Sequence, residues 1–405
     1  MVTQNYFLIL FIKFILITII THISSVNAQS DCSTAPSATL EKICRKLHQI
    51  DKNTRNTPLY EDKLRMPDGS IGAYALCGDL YSCMDLGCLC NFLGGNGTSG
   101  TNKCSFQNLK KAIRKEYRML SDVERARFHA ALNAMKRNGD YDMLSKIHSE
   151  FAETGGAHSG PAFLPWHREF IKRFEFSLKK VDPRISLPYW DSTLDGVLPT
   201  PKDSIMFSNE FMGTTDNAGN LIRGDFAGWR TLTASLFRYK IYRFVGKSKH
   251  SSACRCRRKL FSIQWLMKQN KIDLVLGYPS PRQGCTAPSS FDTLEYTHNA
   301  IHTFVGGDMD EMKDSANDPI FFLHHCFVDM IWELWRIKNQ NRNERKTVYP
   351  LDRLKCSARH HFVNSIMEPF EAIPNINGLC NEYTDNLYEY DPRPSCELGP
   401  NCGSK

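Results

Sequence analysis

Histidine spacing in the second half of the chain indicates a metal site. His298 and His302 are four residues apart, which on a helix places both imidazoles on one face, about one turn apart. Downstream, Asp318-Pro319 is typical of a helix start, and the apolar sequence after it predicts a buried helix. That helix carries His324 and His325 into the interior, where two imidazoles need partners, and a metal ion is a common one.

Adjacent residues on a helix point about 100° apart, so only one of His324 and His325 can easily join the first pair. Helix geometry alone leaves open which of the two it is. The competing interpretation is structural, because a lone buried histidine is more often a hydrogen-bonded core residue than a ligand. Two histidines four apart, followed by a buried pair, favour the metal.

Three further histidines occupy different local structures upstream. His148 lies on a predicted helix with apolar residues at helical spacing. His158 stands in residues 155–161, whose glycines and proline exclude a regular helix. His167 is close to the start of a third predicted helix, which opens at Leu164-Pro165. A helix, a loop and a helix start can surround one ion from three directions.

Two longer motifs that contain these histidines resemble the copper-binding signatures of tyrosinases. The first is residues 156–168, Gly-Ala-His-Ser-Gly-Pro-Ala-Phe-Leu-Pro-Trp-His-Arg, and the second comprises residues 298–302 and 318–332. Leu187-Pro188-Tyr189-Trp190-Asp191 and Tyr388-Glu389-Tyr390 are also similar to family sequence. The resemblance covers most of the chain and is to secreted animal-type tyrosinases, such as those of nematodes and molluscs.

The resemblance implies a mainly α fold, with a four-helix bundle around a binuclear type-3 copper site, a disulfide-rich N-terminal region and long loops. It implies two copper ions, each held by three histidines, with O2 as co-substrate. By their positions in the motifs, the ligands are His148, His158 and His167 for the first copper and His298, His302 and His325 for the second. His324 then lies beside the ligands. Imidazole suits copper in both oxidation states.

The resemblance also implies roles for residues around the metal ions. In the family, an Asn after the first histidine of the second set and an upstream Glu hold a water that takes the phenol proton. Asn299 matches that Asn, and Glu295 is the candidate for the Glu. Thr303 should line the entrance, and Met312 stands at the family's pocket gate, where ordinary packing is the alternative. Asp329 should orient a ligand or cap a neighbouring helix.

The implied activity is that of a copper-dependent phenol oxidase, which hydroxylates monophenols and oxidises the resulting o-diphenols to o-quinones. The alternatives are a catechol oxidase without monophenolase activity and haemocyanin-like O2 binding without turnover. Small phenols or catechols are the expected substrates, with tyrosyl residues of matrix proteins as a further candidate, in melanin formation or sclerotisation. A zinc protease is disfavoured because the chain lacks a His-Glu-x-x-His pattern.

Two departures from the family pattern bear on the site. Gly156 stands where some relatives carry a cysteine joined to a histidine by a thioether, so no such crosslink is expected. No long segment follows Tyr390 that could fold as the family's C-terminal shielding domain. Substrate access is therefore expected without removal of such a domain, unless the N-terminal region or a propeptide shields the site.

Composition is that of an ordinary globular protein. The 405 residues are 41% hydrophobic and 23% charged, enough for one sizeable domain and a smaller piece. The formal net charge is +8, but no basic stripe interleaved with aromatic residues appears, so nucleic acid is not an expected partner. One basic cluster at residues 247–259 is interpreted as a solvated loop, with a patch for a matrix or acidic partner as the alternative.

The N-terminal end predicts secretion. Residues 1–28 contain an apolar run interrupted by Lys13 and end in Val26-Asn27-Ala28, which is typical of a cleaved signal peptide. An uncleaved anchor is disfavoured by Lys13, so the mature protein is expected to be extracellular and free of the membrane. The predicted divisions that follow are a Cys-rich region over 29–117, the copper-binding domain over 118–392, and a Cys-containing tail over 393–405 that resembles the start of a further module.

Cysteine usage agrees with an oxidising compartment. None of the 15 cysteines lies in the first 28 residues, and seven fall between residues 32 and 104. This distribution predicts disulfides, with a zinc site over residues 83–90 as a minor alternative. The odd cysteine is predicted to be Cys326, as a buried free thiol. Asn96-Gly97-Thr98 is a glycosylation sequence in a Gly-rich loop, and helices in this region, such as 38–48, are expected to be short.

Overall fold

The computed structural model describes residues 31–59, 80–106, 108–232, 241–243, 245, 262–370 and 373–394. The predicted signal peptide, the basic cluster and most of the tail lie outside these residues. The described α-helices are α1 (Ala38–Arg55), α2 (Leu86–Phe92), α3 (Asp122–Asn138), α4 (Asp140–Phe151), α5 (Phe163–Val181), α6 (Ser192–Asp195), α7 (Leu294–Val305), α8 (Ile320–Asn339) and α9 (Arg342–Thr347). Within this part of the chain, no helix combines the length and apolar character that crossing a bilayer requires.

Strands are few and short. They are β1 (Ala112–Arg114), β2 (Thr214–Thr215), β3 (Leu221–Arg223) and β4 (Tyr388–Tyr390). Strand β1 pairs with β4 in parallel, and β2 pairs with β3 antiparallel. The β1–β4 pair joins the segment that precedes the helical core to the segment that closes it. The mainly α fold class is therefore confirmed.

Helix boundaries follow the capping residues in the sequence. Ser121 and Glu124 form a reciprocal capping box at the start of α3, and Gly139 ends that helix in the left-handed conformation with φ 88°. At the start of α8, Asp318 Oδ1 accepts a hydrogen bond from the main-chain nitrogen of Ile320, 3.0 Å away. Pro319 between them has a helical φ of −56°, so it fits the first turn as expected.

Helix α1 is longer than the sequence indicated. The helical piece predicted at 38–48 extends to Arg55, because its buried stripe continues beyond His48 through Ile50 and Thr54. Ser37 caps the start by accepting from the main-chain nitrogen of Leu40. The disulfide-rich region therefore contributes a full-length amphipathic helix that packs on the main domain.

The core lies between α3, α4, α5, α7 and α8. Helices α5 and α8 are buried along most of their length. Helix α8 is apolar on most sides, whereas α5 also buries charged side chains such as Arg168 and Glu175, which form ion pairs. Phe174 and Phe322 stack face to face with ring centroids 3.5 Å apart where these two helices meet. Four of the helices, α4, α5, α7 and α8, carry histidines towards one point in this core.

Four disulfides join cysteines of the described residues: Cys32–Cys44, Cys83–Cys88, Cys90–Cys104 and Cys285–Cys356. The zinc alternative at residues 83–90 is excluded, because those thiols are bonded to sulfur. Cys326 is a buried free thiol, as predicted, and Cys380 is a second free thiol in the described part. The other five cysteines, Cys77, Cys254, Cys256, Cys396 and Cys402, lie outside it.

Candidate metal centre

The first predicted set of histidines meets in the interior. His148 comes from α4, His167 from α5, and His158 from the loop between these helices. All three side chains are buried, and one nitrogen of each lies within 4.8 Å of the others. The imidazole rings of His158 and His167 are 4.9 Å apart between centroids. This geometry suits three ligands of one ion.

The second set joins α7 to α8. The Nε2 atom of His325 lies 3.0 Å from Nε2 of His298 and 3.4 Å from Nε2 of His302. Nitrogens of His298, His302 and His324 also lie within 4.8 Å of one another, so distance alone admits either member of the pair. However, His324 Nε2 lies 3.2 Å from the main-chain oxygen of His298, to which it can donate. We therefore assign His325 as the ligand and His324 as its neighbour.

Backbone carbonyls fix the orientation of three of these rings. Nδ1 donates to a main-chain oxygen in each case: His158 to Ala152, His167 to Phe163, and His302 to Met309. Because a carbonyl oxygen only accepts, the proton is on Nδ1 and the lone pair on Nε2. Such bonds are the usual support of metal-binding histidines.

The residues fit a pair of copper ions. Both ring nitrogens of His148 and Nε2 of His167 are buried without a hydrogen-bond partner in the described structure, a cost that a bound metal would remove. Burial lowers the pKa of His148 and His167 well below the usual value, and that of His158 to about 3. Neutral imidazoles are competent ligands, and a set made of imidazole alone suits copper.

A third cluster of metal-binding residue types has a different explanation. Cys32, Cys44 and His48 also bring ligand atoms within 4.8 Å of one another. The two cysteines are joined in a disulfide, so neither offers a thiolate. This cluster belongs to the disulfide that links the turn before α1 to the helix.

Aromatic rings enclose the six histidines. Phe163 packs against His167 and His298, with centroid distances of 4.7 and 4.9 Å. Phe321 packs against His148 and His325 at 4.7 and 4.1 Å. These rings hold the imidazoles in place and exclude water from the imidazole faces that they cover, which favours a preorganised site.

Glu295 and Asn299 occupy successive turns of α7. Glu295 is buried, and one carboxylate oxygen accepts a hydrogen bond from the main-chain nitrogen of Ser159, the residue after His158. The other oxygen has no partner among the described residues. The Asn299 side chain donates to the main-chain oxygen of Glu295 at 2.8 Å. Burial raises the pKa of Glu295 to about 8, so this carboxyl can exchange a proton near neutral pH.

The mouth of the site contains the residues predicted for the entrance. Asn299, Thr303 and Met312 line one cavity together with ligand histidines from both sets, His158, His298 and His302. The Thr303 hydroxyl donates to Asp310 at 2.9 Å. Met312 belongs to a small apolar cluster that includes Tyr296, which agrees with the packing alternative, and its gate role stays a prediction.

Helix α1 contributes to the same mouth, which the sequence did not indicate. Lys42, Ile43 and Lys46 line the cavity. The N-terminal region, which was the stated exception to open access, thus contributes residues to the mouth. The available signal was the amphipathic stripe of α1, but a stripe does not identify the surface it covers.

Asp329 has a different contact from the one expected. Its carboxylate accepts from Arg168 Nε at 2.6 Å and from the hydroxyls of Tyr388 and Tyr390 at 2.8 and 2.6 Å. It orients no histidine and caps no helix among the described contacts. Asp329 instead pairs with Arg168, the residue after His167, so it fixes the position of helix α5, which carries that histidine.

Asn96 lies away from the metal centre. Asn96 is exposed in the turn after α2, and the next residue, Gly97, forms a β-bridge with Cys104. An exposed turn suits a glycan, and glycosylation at Asn96 stays a prediction.

Comparison with known proteins agrees with the geometry. The family model "Tyrosinase: Common central domain of tyrosinase" matches residues 138–338, which contain all six candidate ligands. The chain is 32% identical over 242 residues to the tyrosinase of Streptomyces glaucescens, an alignment covering 55% of this chain and 82% of the relative. The chain belongs to the tyrosinase family. Its two histidine clusters are consistent with the binuclear type-3 copper site of this family, whose members use O2 as co-substrate.

Two further relatives extend the comparison. The chain is 44% identical over 403 residues to the tyrosinase-like protein tyr-3 of Caenorhabditis elegans, covering 97% of this chain and 56% of that protein. It thus spans little more than half the length of that relative. A polyphenol oxidase variant from Thermothelomyces thermophila has the same fold, with a TM-score of 0.54 and 17% identity over 88% of this chain and 99% of the other.

Proposed function

We propose that this protein oxidises phenols with O2, hydroxylating monophenols to o-diphenols and oxidising these to o-quinones. The observation that carries the proposal is the convergence of two histidine trios beside a cavity lined by Asn299. In balanced form, a monophenol and O2 give an o-quinone and water. Two catechols and one O2 give two o-quinones and two waters.

The metal ions and the protein have separate tasks. When bound, the two copper ions supply the reduction of O2 and the withdrawal of electrons from the ring. The six histidines hold that pair, and the Phe163 and Phe321 rings exclude water behind it. An apolar and aromatic surface of this kind also suits a phenol ring.

Proton transfer is assigned to α7. A monophenol must lose its hydroxyl proton before ortho hydroxylation, whereas a catechol can bind and be oxidised with less dependence on one acceptor. Asn299 faces the cavity, and Glu295, which hydrogen-bonds the loop after His158, has a pKa raised by burial to about 8. Together they would hold a water that accepts the phenol proton. General-base catalysis requires such an acceptor within hydrogen-bonding distance of the hydroxyl.

A second candidate function has one observation in its favour. The cavity at the mouth measures about 20 Å³, room for roughly one water molecule, so the site admits O2 more readily than a phenol. A shielded site of this size favours reversible O2 binding without turnover. Copper-bound protein that takes up and releases O2, without oxidising any catechol, would support this alternative.

The test of the proposal is product formation by the full chain loaded with copper. Oxygen uptake and quinone absorbance are measured separately with a monophenol and with a catechol, and copper-free protein serves as the control. Oxidation of both substrates supports the proposal. Oxidation of catechol alone makes the protein a catechol oxidase, and oxidation of neither, in any form of the protein, contradicts it.

We also propose an extracytosolic site of action. The supporting observation is the four disulfides, which persist in oxidising compartments and are rare in the cytosol. Expression in secreting cells, followed by N-terminal sequencing of protein from the medium, tests it. Recovery of the protein in the cell lysate alone would contradict it.

A further inference from the structure

Helix α1 lies across the mouth of the metal centre. Three residues of this helix, Lys42, Ile43 and Lys46, line the same cavity as the ligand histidines. The cavity of about 20 Å³ is far smaller than the roughly 150 Å³ of a cavity that accommodates benzene. The mouth in this form therefore has room for O2 or a water but none for a phenol ring.

We propose that helix α1 is an autoinhibitory lid, which closes the copper site to phenols and must leave the mouth for them to enter. This inference rests on the phenol oxidation proposed above and concerns the regulation of that same site. The closed form binds small molecules, and the open form turns over phenols. The open fraction then sets the measured activity.

At the mouth, polar contacts hold the lid to the turn that follows α7, while the far end of α1 is bonded through Thr54 and Arg55 to the main-chain oxygens of Gly155 and Leu354. Lys42 Nζ lies 2.8 Å from Asp310 Oδ2, and Lys46 Nζ donates to the main-chain oxygen of Asp310 at 2.6 Å. The other carboxylate oxygen of Asp310 accepts from Thr303, one turn beyond Asn299 on α7. The Lys42 side chain is 54% exposed and that of Asp310 24%, and ion pairs this exposed are weak. Such a latch can open without unfolding the domain.

Apolar contacts complete the closure. Ile43 and Leu47 of α1 belong to one cluster with Tyr296 of α7 and Met312. Ile43 is 4% exposed and Met312 is 7% exposed, so the lid covers the residue at the gate position. This cluster is separate from the main core of the domain.

The lid also touches the loop that carries a ligand. The hydroxyl of Ser159, the residue after His158, donates to the main-chain oxygen of Leu47 at 2.9 Å. The disulfide Cys32–Cys44 ties the turn before α1 to the helix, so turn and helix are constrained to move as one unit. Displacement of the lid therefore frees the mouth and releases one restraint on the first copper's loop.

The experiment weakens the latch and leaves the metal ligands intact. The double variant Lys42→Ala/Lys46→Ala removes both ammonium groups, and Ile43→Ala reduces the apolar contact. Arg45→Ala is the matched control, because Arg45 is on the same helix and pairs with Glu41 on its outer face. Each protein is loaded with copper, its copper content and circular dichroism are recorded, and kcat/KM is measured for catechol and 4-tert-butylcatechol.

The lid predicts a specific pattern of rates. Both mouth variants should gain about fivefold or more in kcat/KM, with the larger gain for the bulky 4-tert-butylcatechol, because the open fraction rises. Arg45→Ala should stay within about twofold of the wild type. Wild-type turnover of the bulky substrate equal to that of both mouth variants would overturn the proposal.

A second measurement does not depend on turnover. Hydrogen–deuterium exchange of the α1 amides should be faster than that of α8 in the wild type and faster still in the double variant, but unchanged in Arg45→Ala. Exchange in α1 as slow as in α8 in every variant would overturn the lid. If α1 responds as expected while no copper-loaded variant oxidises a catechol, the lid stands and the proposed oxidase function fails.

Discussion

The Nε2 atoms of His298 and His325 lie 3.0 Å apart, although the two residues belong to different helices. The same atom of His325 is 3.4 Å from Nε2 of His302. Three neutral imidazoles that converge in a buried space offer their lone pairs to one point. A metal ion bound at that point would link α7 to α8, in addition to the packing between them.

Loss of a ligand from the first trio should remove one copper. His148→Asn takes away a ring whose two nitrogens have no other partner in the described structure. Copper per chain, measured by atomic absorption, should fall from two to about one, with loss of catechol oxidation. His129→Asn is the control, because His129 is a buried histidine bonded to Tyr117 and Asp225. Equal copper loss in both variants would mean that the effect is structural.

Glu295→Gln should separate the two reactions. The amide keeps an oxygen that can accept from the Ser159 main chain but cannot take a proton. Monophenol kcat/KM should fall by at least about tenfold, within the range for loss of a general base, while catechol kcat/KM changes much less. The ratio of the two, measured on one copper-loaded sample, is the readout. Equal losses for both substrates would contradict a proton-transfer role.

Substitution of Asp329 should lower the free energy of unfolding, because Asp329 belongs to a buried network of ion pairs with Arg168 and Glu333. Asp329→Asn removes one of the two carboxylates that pair with the fully buried Arg168 and leaves Glu333, so the loss should lie near the lower end of the about 3–5 kcal/mol that a broken buried pair costs. The surface pair of Arg342 and Asp385, with side chains 65% and 35% exposed, should cost no more than about 1 kcal/mol in Asp385→Asn. Urea unfolding of both variants gives the comparison. Similar losses in the two would contradict the network's role.

Asp308 should make stability depend on pH. Burial raises its pKa to about 7, above the unfolded value of about 3.9. Between these values the native state holds a proton that the unfolded chain has released, so this group's contribution to the free energy of unfolding falls as pH rises. Asp308→Asn keeps an oxygen to accept from the Tyr242 main chain and removes the titration. In urea unfolding at about pH 5, 6 and 7, the free energy of unfolding of the wild type relative to Asp308→Asn should therefore fall as pH rises. A constant or a rising difference would contradict the shift.

Local sequence patterns predicted the histidine ligands better than they predicted the residues that line the mouth of the site. The pair His298 and His302 follows from helical spacing, and the helix start at Asp318 follows from capping chemistry. The choice between His324 and His325 could not come from spacing, because it depends on how α7 faces α8. The motif resemblance supplied that choice, and the contact of His324 Nε2 with the main-chain oxygen of His298 supports it.

Long-range contacts explain what the sequence did not indicate. Lys42 reaches Asp310 across 268 positions of the chain, and no local pattern relates the two residues. Asp329 likewise pairs with Arg168, which lies 161 positions upstream, so its expected contact with a histidine was replaced by a salt bridge. The length of α1 was underestimated because polar residues at 51–53 interrupt its pattern, whereas packing on α7 stabilises the full helix.

The most direct test of the two-copper centre compares the adjacent histidines of α8. His325→Ala and His324→Ala are purified in parallel, and copper per chain and catechol oxidation are measured on each. The structure predicts about one copper and no turnover for His325→Ala, because its Nε2 converges with His298 and His302. His324→Ala should retain two, since His324 bonds a carbonyl. Retention of two coppers by His325→Ala and loss of one by His324→Ala would contradict the assignment, and full copper in both would contradict the six-histidine centre.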